Sequence, residues 1–187
     1  MSVYKMFNKD MTCTKGKGIF QYEVGKTYTE PEATCRKNGF HCAENPLDCL
    51  DYYPDFENSV CCEVLAGGSV DEDDQDSKIS CTEIKIIRKL SLERFVVEAA
   101  RYIILHPKMP SNRRVMAEPS PVRENHFVIV RCEKPAAKGE KGDVICCIRE
   151  KNGIIKEAGV YMIDGETFRA GAWYGPDGKE MAVDAES

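Results

Sequence analysis

The residues best equipped for chemistry lie in one stretch, CRKNGFHCAENPLDCLDYYP at positions 35–54. His41, with Cys35 and Cys42 close by and Cys13 or Cys49 completing a set, has the donor types of a structural zinc centre. The spacing argues against it: six residues separate Cys35 from Cys42, which is not a metal knuckle, and His41 and Cys42 are adjacent in an expected strand. Neighbours in a strand point to opposite faces, so they neither ligate one ion nor form a nucleophile and base pair. His41 is therefore expected to be a hydrogen-bonded binding-surface residue, with no metal, cofactor or catalytic residue assigned. Tyr52, Tyr53, Phe56 and Tyr22 form an aromatic group that suits stacking on a base or nucleotide, or packing of a helix onto a sheet. Asp71, Asp73, Asp74 and Asp76 crowd the run DEDDQD, which lacks the glycine and the terminal glutamate of a calcium loop. An exposed acidic loop, able to meet a basic protein surface, fits it better. Tyr22, His41, Tyr52, Tyr53 and these four aspartates are the candidate binding residues.

These side chains must be positioned by a modest scaffold. The chain has 187 residues, 42% hydrophobic and 30% charged, the profile of an ordinary globular protein. A net charge of -5 argues against a direct nucleic-acid or anionic-membrane partner, since both are bound through basic patches. No apolar run approaches the roughly 20 residues that span a bilayer, and MSVYKMFNKD lacks the apolar core of a signal peptide. A cytoplasmic location follows as the expectation, and with it ten reduced cysteines, none in a CxxC pair, mostly serving as small buried apolar residues. The adjacent pairs Cys61-Cys62 and Cys146-Cys147 should split between opposite strand faces.

Alternation and turn chemistry predict strands at residues 4–7, 20–28 (broken by a turn at Gly25-Lys26), 59–65 and 81–87, with only a fragment at 40–42. Asn45 is a fitting N-cap with Pro46 in the first helical position, for a helix through Leu47, Leu50 and Tyr53 that stops at Pro54. Residues 91–106 form the clearest helix, with Leu92, Phe95, Val96, Ala99 and Ile103 on one face. Residues 107–125 carry four prolines and read as a linker or arm. Further strands are expected at 126–132, 144–150, 154–163, 167–173 and 180–183, with hairpin signals at Asn152-Gly153 and Asp164-Gly165. The expected organisation is an α+β domain over 1–106, with a mixed sheet, one short helix and one long one. The linker at 107–125 and a small antiparallel β unit at 126–187 follow it.

The pieces KMFNKDMTC, FQYEVGKTY, GFHCAENPLDCLDYYP and DSKIS resemble a bacteriophage and prophage family of unknown function. KGDVICCIREKNGIIKEAGVYMIDGETFRAGAWY is similar to that family's final β segment, and FVIVRCEKPAAKGEKGD to a single remnant of the repeats that separate the two regions in its members. The resemblance implies a phage-encoded accessory protein in the host bacterial cytoplasm, and it transfers no functional residues. The order of elements around GFH and the Tyr-bearing helix is also similar to the front half of ADP-ribosyltransferase-like folds, yet neither Glu63 nor Glu83 sits in a recognisable catalytic motif. The leading expectation is a non-enzymatic accessory protein that binds a host or bacterial defence protein, with counter-defence inhibition as its finer form. A nucleotide-binding protein, or a degenerate enzyme of that type, is the second reading. The third is a structural β module that makes a homo-oligomer through residues 126–187.

Overall fold

The computed structural model describes residues 1–14, 18–72 and 77–183. It divides into two compact units, Met1–Ser91 and Leu92–Ser187, so the long helix is grouped with the C-terminal strands. The architecture is mainly β, with 44% strand and 10% helix, which corrects the α+β expectation. No helix among the described residues is long and apolar enough to cross a membrane.

The first unit runs β1 (Ser2–Asn8), β2 (Thr12–Cys13), β3 (Phe20–Gln21), β4 (Thr27–Thr29), β5 (Phe40–Ala43), α1 (Pro46–Cys49), β6 (Ser59–Glu72) and β7 (Lys78–Lys89). The sheet order is β4-β7-β5-β1-β6, and β6 also pairs with β7. Strands β7, β5, β1 and β6 therefore close on themselves as a four-stranded antiparallel barrel. Its interior holds Val3 and Phe7 from β1, Phe40 and Cys42 from β5, Cys62, Val64 and Ala66 from β6, and Ile79, Cys81, Ile84 and Ile86 from β7.

Closure depends on β6 being far longer than residues 59–65. Gly67-Gly68, which reads as a turn in the sequence, lies within the strand as an irregularity, and pairing with β7 resumes at Val70. Gly68 has φ +69, and a Cβ there would lie 2.1 Å from Thr82 Oγ1, the atom that accepts the Ser69 N–H at 2.9 Å. This glycine supplies the bend with which one strand turns from β1 towards the far end of β7. Asp71 is consequently a strand residue opposite Ser80, not part of a free acidic loop. Asp73, Asp74 and Asp76 lie outside the described residues.

The segment at 20–28, expected to break at Gly25-Lys26, is two short strands on either side of that turn, with β3 paired to β2 and β4 paired to β7. The fragment at 40–42 proves to be β5, flanked in the barrel by β7 and β1. Asn45 caps α1 as its sequence implies, accepting the Leu47 N–H at 3.1 Å with Pro46 first in the helix. The helix stops at Cys49, and the chain leaves it through successive turns (Tyr52 N–H to Cys49 O, 3.2 Å), so Tyr52 and Tyr53 belong to the exit rather than to a helical face.

The second unit comprises α2 (Leu92–Leu105), β8 (Val115–Met116), β9 (Ser120–Pro121), β10 (Phe127–Cys132), β11 (Ala137–Lys138), β12 (Val144–Lys151) and β13 (Ile154–Met162). Its main sheet, β13-β12-β10-β8, is mixed and not antiparallel, because β10 runs parallel to both β12 and β8. Residues 133–143 form a crossover through β11 that returns the chain to the starting end of β10, about the length a parallel connection requires. The β12-β13 hairpin turns at Asn152 (φ 54) and Gly153 (φ 73), as its sequence indicates. Phe95 of α2 meets Phe127 on one side of the sheet (centroids 5.6 Å apart), while Val128, Val130, Ile145, Cys147 and Tyr174 share a core on the other.

Residues 167–173 and 180–183 are not strands. Asp164 instead accepts the N–H groups of Glu166 and Phe168 at 2.8 and 2.9 Å, which holds the chain in a turn. The proline-rich segment is tied to the sheet through Arg131, which donates to Pro107 O at 2.6 Å and pairs with Glu150 at 2.5 Å. All ten cysteines are free thiols, and seven are buried. The paired ones divide as strand geometry requires: Cys62 and Cys147 belong to the cores named above, and Cys61 and Cys146 face the other way.

Replacing Gly68 with alanine should therefore cost about 1–3 kcal/mol, measured as a lower denaturation midpoint. The side chain would meet both a left-handed backbone and the Thr82 hydroxyl, so an unchanged midpoint would rule out this account of barrel closure.

Candidate functional site: a cavity through the barrel wall

β1 alternates as a half-buried strand must: Val3, Lys5 and Phe7 face inward, and Tyr4 and Met6 face out. The inward phase thus carries a lysine into an apolar barrel. Lys5 stands opposite Cys62, a core residue, and is only 7% exposed. Its ammonium donates to His41 O at 2.7 Å and lies 5.6 Å from the centre of the Phe7 ring and 5.9 Å from that of Tyr22. No carboxylate pairs with it among the described residues.

The room for this arrangement comes from a weak seam. β1 and β5 share a single pair of partners, Tyr4 and Ala43, whereas β1 and β6 share seven. Where β1 and β5 part, a cavity of about 510 Å³ opens, lined from both faces of the wall. Lys5, Tyr22, Phe40 and Cys42 line its inner part, and Met6, His41, Lys78 and Tyr52 its outer part. Phe20, on the β2-β3 hairpin, lies 4.7 Å from Tyr22 and 5.5 Å from Tyr28, centroid to centroid, and remains 42% exposed.

Four of the candidates from the sequence meet here. Tyr22 is buried, packed 4.9 Å from Phe7. Tyr53 is buried and its hydroxyl donates to Cys13 Sγ at 3.4 Å. Tyr52 is exposed, with the Lys78 ammonium 3.9 Å from its ring centre. His41 accepts the Arg36 N–H on Nε2 at 2.9 Å. Asp71 does not line the cavity; it accepts the Cys35 N–H at 2.7 Å, fastening the loop before β5. Sequence reasoning missed Lys5, Arg36, Lys78, Phe20, Phe40 and Glu30, all lining residues. A signal existed for the first of them, because Val3-Tyr4-Lys5-Met6-Phe7 places Lys5 in the apolar phase of an alternating strand.

Burial and neighbouring charges shift several groups of the lining. Burial first, then the Lys5 and Lys78 cations, hold His41 below its ordinary value, which agrees with Nε2 acting as an acceptor. Burial and the neighbouring Arg36 lower Lys78. The thiols go the other way: burial pushes Cys49 up to about 12, and a contact with Cys81 together with burial keeps Cys42 protonated. The thiolate that nucleophilic chemistry needs is disfavoured at both. No group of three His, Cys, Asp or Glu side chains among the described residues is placed to hold a metal ion. Glu63, raised by the ADP-ribosyltransferase comparison, pairs with Arg88 at 2.7 Å and is not among the lining residues.

A histidine held neutral in the folded state ties stability to pH in one direction. Below the ordinary value of 6.5 the unfolded chain takes up a proton that folded His41 resists, so its stabilising effect is complete above that pH and shrinks as pH falls through it. The urea midpoint should drop between about pH 7.5 and 5.5, around the ordinary histidine range. His41→Gln, which keeps an acceptor for Arg36, should flatten the profile, and an equally steep slope in that variant would exclude His41 as its source.

Residues 1–98 match a family model described as a domain of unknown function, DUF7666. No curated protein and no solved structure matches the chain. The match takes in every strand of the barrel and the whole lining of the cavity, and the chain belongs to the DUF7666 family.

Proposed function

We propose that the N-terminal barrel is a non-enzymatic binding module for a small anionic organic molecule, received in the cavity between β1 and β5. The observation that carries this reading is Lys5. A buried ammonium loses its hydration and ordinarily recovers the cost from a paired carboxylate, but here its contacts are one carbonyl oxygen and two ring faces. A ligand anion beside it gains from the low dielectric of the barrel interior, where the same attraction is several times stronger than in water. The cavity size supports an organic ligand, since sites for such molecules span about 300–1,000 Å³. A binding role is further supported by the protonated thiols and by the engagement of His41 Nε2.

This reading is the nucleotide-type alternative broadened to anions in general. Docking of a host or defence protein through Tyr22, Tyr52, Tyr53 and the acidic run finds less support, because two of these three tyrosines, Tyr22 and Tyr53, are buried.

Lys5→Met tests the proposal, because it keeps the length of the side chain while deleting the charge. In wild type, anions that bind should raise the melting temperature, by about 2.7 kcal/mol of stability at 100 times the dissociation constant. The variant should lose that response and yet melt, without ligand, at or above the wild-type temperature, since an uncompensated buried charge has gone. An anion-induced shift that survives in Lys5→Met would overturn the assignment.

A further inference from the structure

We infer that the molecule received by the cavity joins one aromatic heterocycle to one phosphate, the chemistry shared by nucleoside monophosphates and cyclic monophosphates, with the phosphate at Lys5 and the ring towards Phe20 and Tyr52. This rests on the anion-binding reading above and narrows it by charge, by size and by the kind of surface offered.

The charge balance sets the number of phosphates. Lys5, Arg36 and Lys78 line the cavity with three cations, against the two carboxylates of Glu30 and Asp48, so with His41 neutral the lining has one net positive charge. Asp48 is fixed there by the Ser77 hydroxyl and N–H, which donate to its Oδ2 at 2.6 and 3.2 Å. A ligand with one phosphate, carrying one or two negative charges, stays within one charge of neutralising that lining. A di- or triphosphate would exceed that one net positive charge and crowd further negative charge into a partly desolvated space shared with Glu30 and Asp48.

Size and surface point to the ring. A bare phosphate would occupy a small part of about 510 Å³. The remaining wall is rich in aromatic side chains, and two of them, Phe20 and Tyr52, are 42% and 41% exposed, which leaves them able to stack on a flat ring. The inner cation and the exposed rings give the ligand a direction, anionic end in and heterocycle out. Glu30, beside the aromatic group, offers an acceptor for an exocyclic amino group or a ribose hydroxyl.

The test is titration calorimetry of the full chain with the four common nucleoside monophosphates, their cyclic forms, di- and triphosphates, the neutral nucleosides, inorganic phosphate and benzoate. At least one monophosphate should bind about tenfold or more tighter than its nucleoside, its triphosphate and inorganic phosphate. Phe20→Ala, checked for an unchanged circular dichroism spectrum, should weaken that monophosphate by about tenfold while leaving inorganic phosphate unaffected. Glu30→Gln should narrow the preference for one phosphate over three. Equal binding of inorganic phosphate and nucleotides would refute the ring assignment, and equal binding of triphosphates would refute the charge count. Binding of benzoate alone would refute the phosphate; each of these results leaves the anion-binding module standing. If no anion binds, both readings fall.

Discussion

The pairing of β6 with β7 is the constraint on which the N-terminal unit depends. Without it the five strands would form an open sheet with β4 and β6 at its edges; with it, the backbone groups of β6 are satisfied on both sides and the interior becomes a closed apolar volume. That closure requires one strand to bend sharply enough to serve two neighbours, and Gly68 with its positive φ sits where β6 does so. A four-stranded barrel is narrow, so its interior is filled by side chains from each strand, and any polar residue in the inward phase is committed to the core.

Lys5 is such a residue, and its position explains why the wall opens where it does. Between β1 and β5 the ladder is reduced to a single pair, and the Lys5 ammonium, not a backbone amide, reaches the His41 carbonyl. A side chain has replaced part of a ladder, and the space released is the cavity. The same replacement leaves the barrel with a charge compensated only by a carbonyl dipole and ring quadrupoles, weaker partners than a carboxylate. Natural cores keep such residues at a cost to stability, and sites that do so are commonly functional.

The second unit is organised by a different solution to edge and face burial. Its sheet is covered on both sides, by α2 on one and by the segment around Phe168 and Tyr174 on the other. A parallel β10-β12 pair suits this setting, since strands buried on both faces read as continuous apolar runs such as FVIV and VICCI. Cys146 and Cys147 each fill one of the two faces, as small apolar residues do.

Features governed by neighbours in the chain were legible from sequence. The Asn45-Pro46 helix start, the Asn152-Gly153 hairpin, the long apolar-faced helix and the opposed cysteine pairs follow from capping, turn conformation and strand alternation, which act within a few residues. The gathering of Tyr22, His41, Tyr52 and Tyr53 was half legible, because three of the four lie within one stretch. What sequence alone did not determine is everything set by long-range pairing. Gly67-Gly68 serves equally as a turn or a bend until β7 is present to pair beyond it, and residues 133–143 decide between parallel and antiparallel only once β11 has found β9. Lys5 was visible as an inward-phase residue, but whether that inside would be a barrel core with no carboxylate to meet it depended on closure. Local stereochemistry determined many of the elements; the burial of backbone edges, a property of the whole sheet, decided which of their residues came to line the cavity.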